Sequence, residues 1–352
     1  MPNLVHGGDI YSVQTFVSQP ILDFSANINP LGLPPAVKAA AIAAIDQCVH
    51  YPDPLCRELR GAIAGREGVT PEQILCGNGA ADVIFRLVLA VHPENAVILA
   101  PTFAEYEQAL STVHCKIYRH FLLEQDDFAL TDSILDALTP QIDILFLCNP
   151  NNPTGQVVKS DLLMAIYQKC RENNIILVMD ECFNDFLNYP QEHTLKGLIP
   201  KNPQLFILKA FTKIYAMAGL RLGYGISANP ELLQKMTDCG QPWGVSIPAQ
   251  AAGIQALKET QYLQKTAALI STERAYLTKQ LAQMGLRVIG SHANYIFFRA
   301  SGREKLREQL LAHGILIRSC QNYAGLDATY YRAAVRSHYE NEILVDALQI
   351  LV

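Results

Sequence analysis

Four short runs constrain this chain more than anything else in it: AVILA at 96–100, ILFLC at 144–148, IILVM at 175–179 and LFIL at 205–208. A strand with one wet face alternates apolar and polar residues. These runs do not alternate, which fits strands buried on both sides. A helical pattern at 160–173 separates two of them. That alternation predicts a mostly parallel sheet with helices on both faces. Two more helices are predicted, over the alanine-rich 36–48 and over 79–92, just after a GNG turn.

The texture changes near residue 232. Long helical stretches at 249–283 precede short strands at 286–289 and 294–299, a helix at 303–313, a strand at 315–318 and a last helix at 340–352. This reads as a smaller α+β domain. Pro30, Pro34 and Pro35 mark the start of the chain as an extended arm that joins it. The expected division is residues 40–232 as a large domain, and 1–39 with 233–352 as arm and small domain.

Composition narrows the function classes. Half of the 352 residues are hydrophobic, so a large core is available. The net charge is −5, with no long run of one sign, which argues against a nucleic-acid or membrane-surface partner. No apolar run approaches the ~18 residues of a membrane helix, and the first twenty residues lack a secretory pattern. The nine cysteines are scattered, with no C-x-x-C or His/Cys cluster. Reduced thiols, a cytoplasmic location and no metal site are expected.

In a parallel α/β sheet, ligands bind beyond the carboxyl ends of the strands. The run 144–148 leads into NPNNPTG, with Asn152; 175–179 leads into Asp180 of MDECF; 205–208 leads into KAFTKIYAMAGLRLGY, with Lys213 and Arg221. The GNG turn at 77–79 adds a phosphate-sized cradle at a helix N-terminus. An acid, a lysine, an arginine and an anion cradle suit pyridoxal 5′-phosphate (PLP). Its aldehyde needs an amine, its pyridine nitrogen a buried carboxylate, its phosphate cationic and backbone donors, and its ring a planar neighbour.

NPNNPTG, MDE, FTK and GLRLGY, in this order and spacing, resemble the fold-type I, class I/II aminotransferase superfamily over essentially the whole chain. The resemblance implies a PLP-dependent transferase fold. It also implies that Lys213 is the Schiff-base lysine, that Asp180 is the partner of the pyridine nitrogen, and that Asn152 lies near ring and substrate carboxylate. Thr212, Arg221 and the amides of Gly79, Ala80 and Ala81 match the phosphate cup, and Phe103 of PTFAEY the ring-stacking position. Tyr51 of HYPDP matches a tyrosine that crosses to a neighbouring subunit's phosphate, which implies a homodimer with shared active sites. Taken singly, Asp180 reads equally as a loop cap, Arg221 as a structural ion pair, Phe103 as core and Tyr51 as a turn.

Finer segments choose the reaction. HGGDI, DFSANINPLGLP (23–34), ILIRSCQNYAGLD (315–327) and YYRAAVRS (330–337) resemble the threonine-phosphate decarboxylase family of cobalamin biosynthesis, a sister to histidinol-phosphate aminotransferase. The resemblance implies release of CO2 from L-threonine O-3-phosphate, leaving (R)-1-amino-2-propanol O-2-phosphate. Arg332 matches the carboxylate-binding arginine. Arg318, Arg336 and Asn322 are candidates for the substrate phosphate, with His6 arriving on the arm. Asn29 is a substrate candidate too, although Asn27 and Asn29 read equally as organisers of the proline-rich arm, Arg336 as an ion pair and His6 as a turn residue.

Two departures from the broad superfamily stand out. Phe183 occupies the place of a tyrosine that donates to the ring O3′, so the lysine–cofactor imine should have a raised pKa. Ala210 replaces a hydroxyl residue that assists the phosphate, leaving more of that load to Thr212 and Arg221. Three other readings stay open: histidinol-phosphate aminotransferase, a decarboxylase of L-serine O-phosphate making ethanolamine phosphate, and a non-catalytic PLP-fold regulator. The last has no basic recognition segment here to support it.

Overall fold

A computed structural model describes residues 7–15 and 20–352. Its largest sheet has seven strands: β1 (Ile74–Gly77), β2 (Asn95–Ala100), β3 (Lys116–Phe121), β4 (Ile144–Cys148), β5 (Ile176–Asp180), β6 (Leu205–Ala210) and β7 (Gly223–Ser227). They lie in the order β1-β7-β6-β5-β4-β2-β3. Every neighbouring pair is parallel except those made by β7, which runs antiparallel to β6 and β1.

The four apolar runs are β2, β4, β5 and β6, buried along their length apart from single end residues. The other three strands carry weaker patterns. β3 is an edge strand with no buried residue, β1 is only four residues long, and β7 (GYGIS) holds two glycines. A Cβ at Gly225 would sit 2.1 Å from the Phe206 ring, so glycine lets that ring lie against β7.

Helices cover both faces. α1 (Gly79–Val91) and α2 (Ala104–Thr112) bury Val83, Leu87, Tyr106 and Ala109 against Ile98, Phe146, Val178 and Phe206. On the other face α3 (Ser160–Glu172) sets Leu163 and Ile166 on a core with Leu145, Leu177 and Ile207. Full burial of each such side chain stabilises the fold by about 1.5–3 kcal/mol.

The remainder forms a second, antiparallel sheet: β8 (Arg287–Ile289), β9 (Tyr295–Arg299), β10 (Arg318–Ser319) and β11 (Tyr330–Ala334), in the order β10-β11-β9-β8. The N-terminal arm joins it as expected. Leu22–Asp23 pairs in parallel with Ile315–Leu316, and the Ala334 N–H donates to the Phe24 carbonyl at 2.8 Å.

Several element boundaries differ from the sequence reading. The strand expected at 315–318 is two strands, because Ile315–Leu316 serves the arm and Arg318–Ser319 serves β11. The helix expected at 36–48 ends as Pro35–Ala43, followed by a tighter turn at Ile45–Val49. The stretch 249–283 is two helices, Ile247–Ala256 and α5 (Thr260–Gln283). The last helix, α6 (His338–Leu351), starts on a capping box in which Ser337 and Glu340 each bond the other's backbone N–H.

Candidate active site

The carboxyl ends of β4, β5 and β6 open onto one cavity of about 270 Å³, lined by Asn152, Asp180, Lys213, Arg221 and Arg332 among others. After β6 the chain makes a single helical turn, α4 (Phe211–Ile214), which carries Lys213. That turn is clamped from outside. The Asn29 N–H donates to the Lys213 carbonyl at 3.1 Å, and Asn29 Nδ2 donates to the Ile214 carbonyl at 2.8 Å. Burial, reinforced by the Arg332 and Arg221 charges, pulls the Lys213 ammonium down to about 8. Lys213 makes no ion pair among the described residues, so its amine is partly neutral near physiological pH.

Asp180 ends β5, where it is buried between Cys148 and Leu208 of the neighbouring strands. The Tyr106 hydroxyl donates to its Oδ2 at 2.5 Å and the Cys182 N–H to its Oδ1 at 2.9 Å. Burial raises its pKa, against those two hydrogen bonds. A carboxylate has about four lone-pair sites, so Asp180 keeps capacity for a further donor such as a pyridinium N–H.

The anion cradle lies where β1 turns into α1. Gly79 has φ +83°, and a Cβ there would meet the Arg221 guanidinium at 2.6 Å. A Cβ at Gly223 would strike the Ala80 nitrogen at 2.4 Å. Two glycines thus let a cation and a strand close on the first amides of a thirteen-residue helix, an arrangement that favours a phosphate. Ala80, Ala81, Thr212 and Phe103 line the same cavity. Cradle, spare carboxylate capacity and unpaired lysine together fit PLP.

Arg332 adds a further cation to the cavity lining. Arg332 of β11 donates through Nη1 to Asn152 Oδ1 and through Nη2 to the Ser25 carbonyl at 2.8 Å. Its guanidinium lies over the Tyr295 ring, and its Nε has no hydrogen-bond partner among the described residues. The NPNNPTG loop is itself fixed: Asn151 accepts from Thr102 at 2.8 Å, and the Tyr295 hydroxyl donates to the Asn151 carbonyl at 2.7 Å. Phe183 lines the cavity edge-on to Tyr295, and Ala210 lines it nearby.

Not every expected residue arrives. Asn29 is spent on the lysine-bearing turn and on Thr266, so it serves the arm and not the substrate. Arg336 is held by Glu340 at 2.6 Å and by the Asp23 carbonyl at 3.0 Å, away from the cavity lining. Arg318 bonds Asn322 at 2.8 Å and lies over the ring of Tyr323, which does line the cavity. Tyr51 is 76% exposed and stacks on Trp243 at 4.4 Å, outside the cavity of its own chain. His6 lies outside the described residues.

Sequence reasoning missed Tyr106, Ser25, Tyr295, Tyr323 and Glu105. Tyr106 and Glu105 stand in the PTFAEY segment quoted for Phe103, and an acid two residues past the expected ring-stacking aromatic was a usable signal. Ser25 contributes only a backbone carbonyl, which no side-chain pattern reveals.

Comparison with known proteins agrees with this geometry. The sequence model of the family described as aminotransferase class I and II matches residues 19–348. Threonine-phosphate decarboxylase of Salmonella typhimurium is 42% identical over 99% of this chain and 96% of its own length. The crystal structure of histidinol-phosphate aminotransferase from Clostridium acetobutylicum superposes with a TM-score of 0.87 at 31% identity, covering 94% of this chain and 99% of that one. That of the Sinorhizobium meliloti histidinol-phosphate aminotransferase, in complex with pyridoxal-5′-phosphate, does so with a TM-score of 0.86 at 23% identity, covering 97% and 95%.

Proposed function

Because this chain belongs to the aminotransferase class I and II family of PLP-dependent enzymes, we propose that it decarboxylates L-threonine O-3-phosphate to (R)-1-amino-2-propanol O-2-phosphate, a step toward cobalamin. The likeness to the Salmonella enzyme over nearly the whole chain carries this reading. The cavity supports it through Phe183, which cannot donate to a ring oxygen, and through an Arg332–Asn152 pair in the same lining, fit to hold a carboxylate.

Lys213 and Asp180 would hold the cofactor at its aldehyde carbon and its ring nitrogen. Gly79, Ala80, Ala81, Thr212 and Arg221 would hold its phosphate, and Phe103 would lie on its ring. When bound, PLP supplies an electron sink for the pair left on the substrate's Cα by departing CO2. The protein's own part is orientation. Arg332 and Asn152 bind the substrate carboxylate and fix which bond at Cα stands across the ring, so positioning chooses the reaction. Arg318, with Asn322 beside it, would serve the substrate phosphate, and His6, outside the described residues, would join them.

The large domain, 40–232, would then carry the cofactor and Asn152, and 1–39 with 233–352 would supply the arginines for the substrate anions. Tyr51, exposed and braced by Trp243, suits a reach into the site of a second copy, hence a homodimer. Nine free cysteines suit the cytoplasm.

Incubation with L-threonine O-phosphate should release one CO2 per product amine. Turnover of histidinol phosphate that depends on 2-oxoglutarate, with no CO2 from the phosphoamino acid, would replace the reading with aminotransfer. Comparing kcat/KM for L-serine O-phosphate tests the missing methyl group, worth about 1–3 kcal/mol in a pocket.

A further inference from the structure

Glu105 lines the cavity with Lys213, Asp180, Asn152 and Arg332, on the first turn of α2 two residues past Phe103. Nothing described above uses it. We propose that Glu105 is a further catalytic residue, whose carboxyl donates the proton that replaces the departing carboxylate on the substrate's Cα. This rests on the decarboxylase reading.

The step balances. The Cα–carboxylate bond breaks, CO2 leaves, and the electron pair stays with Cα and the bound ring. The proton on a Glu105 oxygen then forms the new Cα–H bond, and the carboxylate left behind recovers a proton from water.

Elimination among the described lining residues favours this group. Asp180 is engaged by Tyr106 and Cys182 and committed to the ring nitrogen. The Cys148 and Cys182 thiols and the Tyr323 hydroxyl are all pushed up by burial, away from neutrality. Among the described lining residues, Lys213 and Glu105 are the groups drawn toward neutrality. Burial raises Glu105 to about 7, with Asp180 adding to the rise and Lys213 and Arg318 opposing it. A neutral acid also avoids repelling a doubly anionic substrate.

Chemistry separates the two candidates. A lysine that delivers protons at Cα would also reach the cofactor's aldehyde carbon; a proton placed there, followed by hydrolysis that releases the product as a carbonyl compound, would leave the cofactor in its amine form. A dedicated acid on another element keeps decarboxylation clean.

The test is Glu105→Gln, which keeps the shape and removes the proton. In the PLP-loaded enzyme, kcat should fall at least about 100-fold with KM changed less than about threefold. The loss of rate as pH rises through about 7 should disappear, and the amine form of the cofactor should accumulate per CO2 released. Glu105→Asp should recover part of the rate. In the unloaded protein, the infrared difference between wild type and Glu105→Gln should contain one protonated carboxyl that titrates near pH 7; differencing removes Glu181, which burial also raises to about 7. A variant that keeps the wild-type rate, pH profile and amine-form ratio overturns the proposal and returns the proton to Lys213. A wild-type protein that releases no CO2 overturns the functional reading as well.

Discussion

Two lysines, one buried and one half-buried in the cavity wall, stand four residues apart on the same strand and turn, and their environments treat them in opposite ways. Lys209, on β6, has Asp185 Oδ2 at 3.3 Å and Glu67 Oε1 at 3.5 Å. Burial opposes its charge, but Asp185, Glu67 and Glu181 hold its pKa above the ordinary value. Lys213 meets burial with cationic neighbours instead and drops to about 8. Burial alone therefore decides nothing; the partner decides whether the ammonium is locked on or released. The first lysine is held as a strut, and the second is left with the amine that the proposed Schiff-base role requires.

The largest test of this contrast is Lys213→Ala. It should abolish the visible band formed with PLP and nearly all turnover, while Lys209→Ala should leave a band. The pH dependence follows from the sign of the shift. An amine must be neutral to attack an aldehyde, so PLP capture by the unloaded protein should speed up as pH rises through about 8, well below the ~10.4 of an ordinary lysine. A midpoint near the ordinary value would erase the distinction between the two lysines.

Next comes Arg332→Ala. Truncating a buried, hydrogen-bonded charge costs about 2–5 kcal/mol, so kcat/KM should fall by roughly 30-fold to several thousand-fold. PLP capture should survive, with its midpoint moved to higher pH, because Arg332 is among the charges that depress Lys213.

The strut is tested through Glu67. Burial by itself would raise that carboxyl. Lys209, Lys196 at 2.8 Å and the Tyr224 hydroxyl at 2.7 Å hold it down at about 2 instead. Glu67→Gln leaves the buried Lys209 charge short of a partner and should cost about 3–5 kcal/mol, read as a lower urea midpoint at unchanged slope. The folded pKa lies below the unfolded one. The stabilisation is therefore complete above pH 4.5 and lost as pH falls toward 2. Wild type and variant should converge in acid. A gap that persists there would mean the loss comes from packing and not from charge.

Much of this site was legible in the sequence because its groups follow buried strands. Asp180 and Lys213 come just after all-apolar runs, and Asn152 sits in a loop whose prolines and asparagines announce a turn. Lys209 was passed over because a lysine inside a strand-like run looks like a boundary; its acids come from Glu67 on one helix and Asp185 after β5, far away in sequence. The β3 edge and the glycine-broken β7 lacked an apolar signature, which hid the antiparallel strand that brings Gly223 to the anion cradle. Asn29 and Arg336 were placed with the substrate because residue type shows hydrogen-bonding capacity but not who consumes it.

The smallest test repeats the contrast with arginines, again four residues apart. Among the described residues, Arg332 Nε has no partner, and its side chain lines the cavity. Arg336 is closed off by Glu340, by the Asp23 carbonyl and by the face of Phe24. A partly exposed pair of this kind is worth about 0–1 kcal/mol. Arg336→Ala should therefore lower stability by no more than about 1 kcal/mol and leave KM for the phosphoamino acid unchanged. A large rise in KM would show that the Glu340 pair opens when substrate arrives. Arg336 would then belong with Lys213, among the cations kept free for a ligand, and not with Lys209.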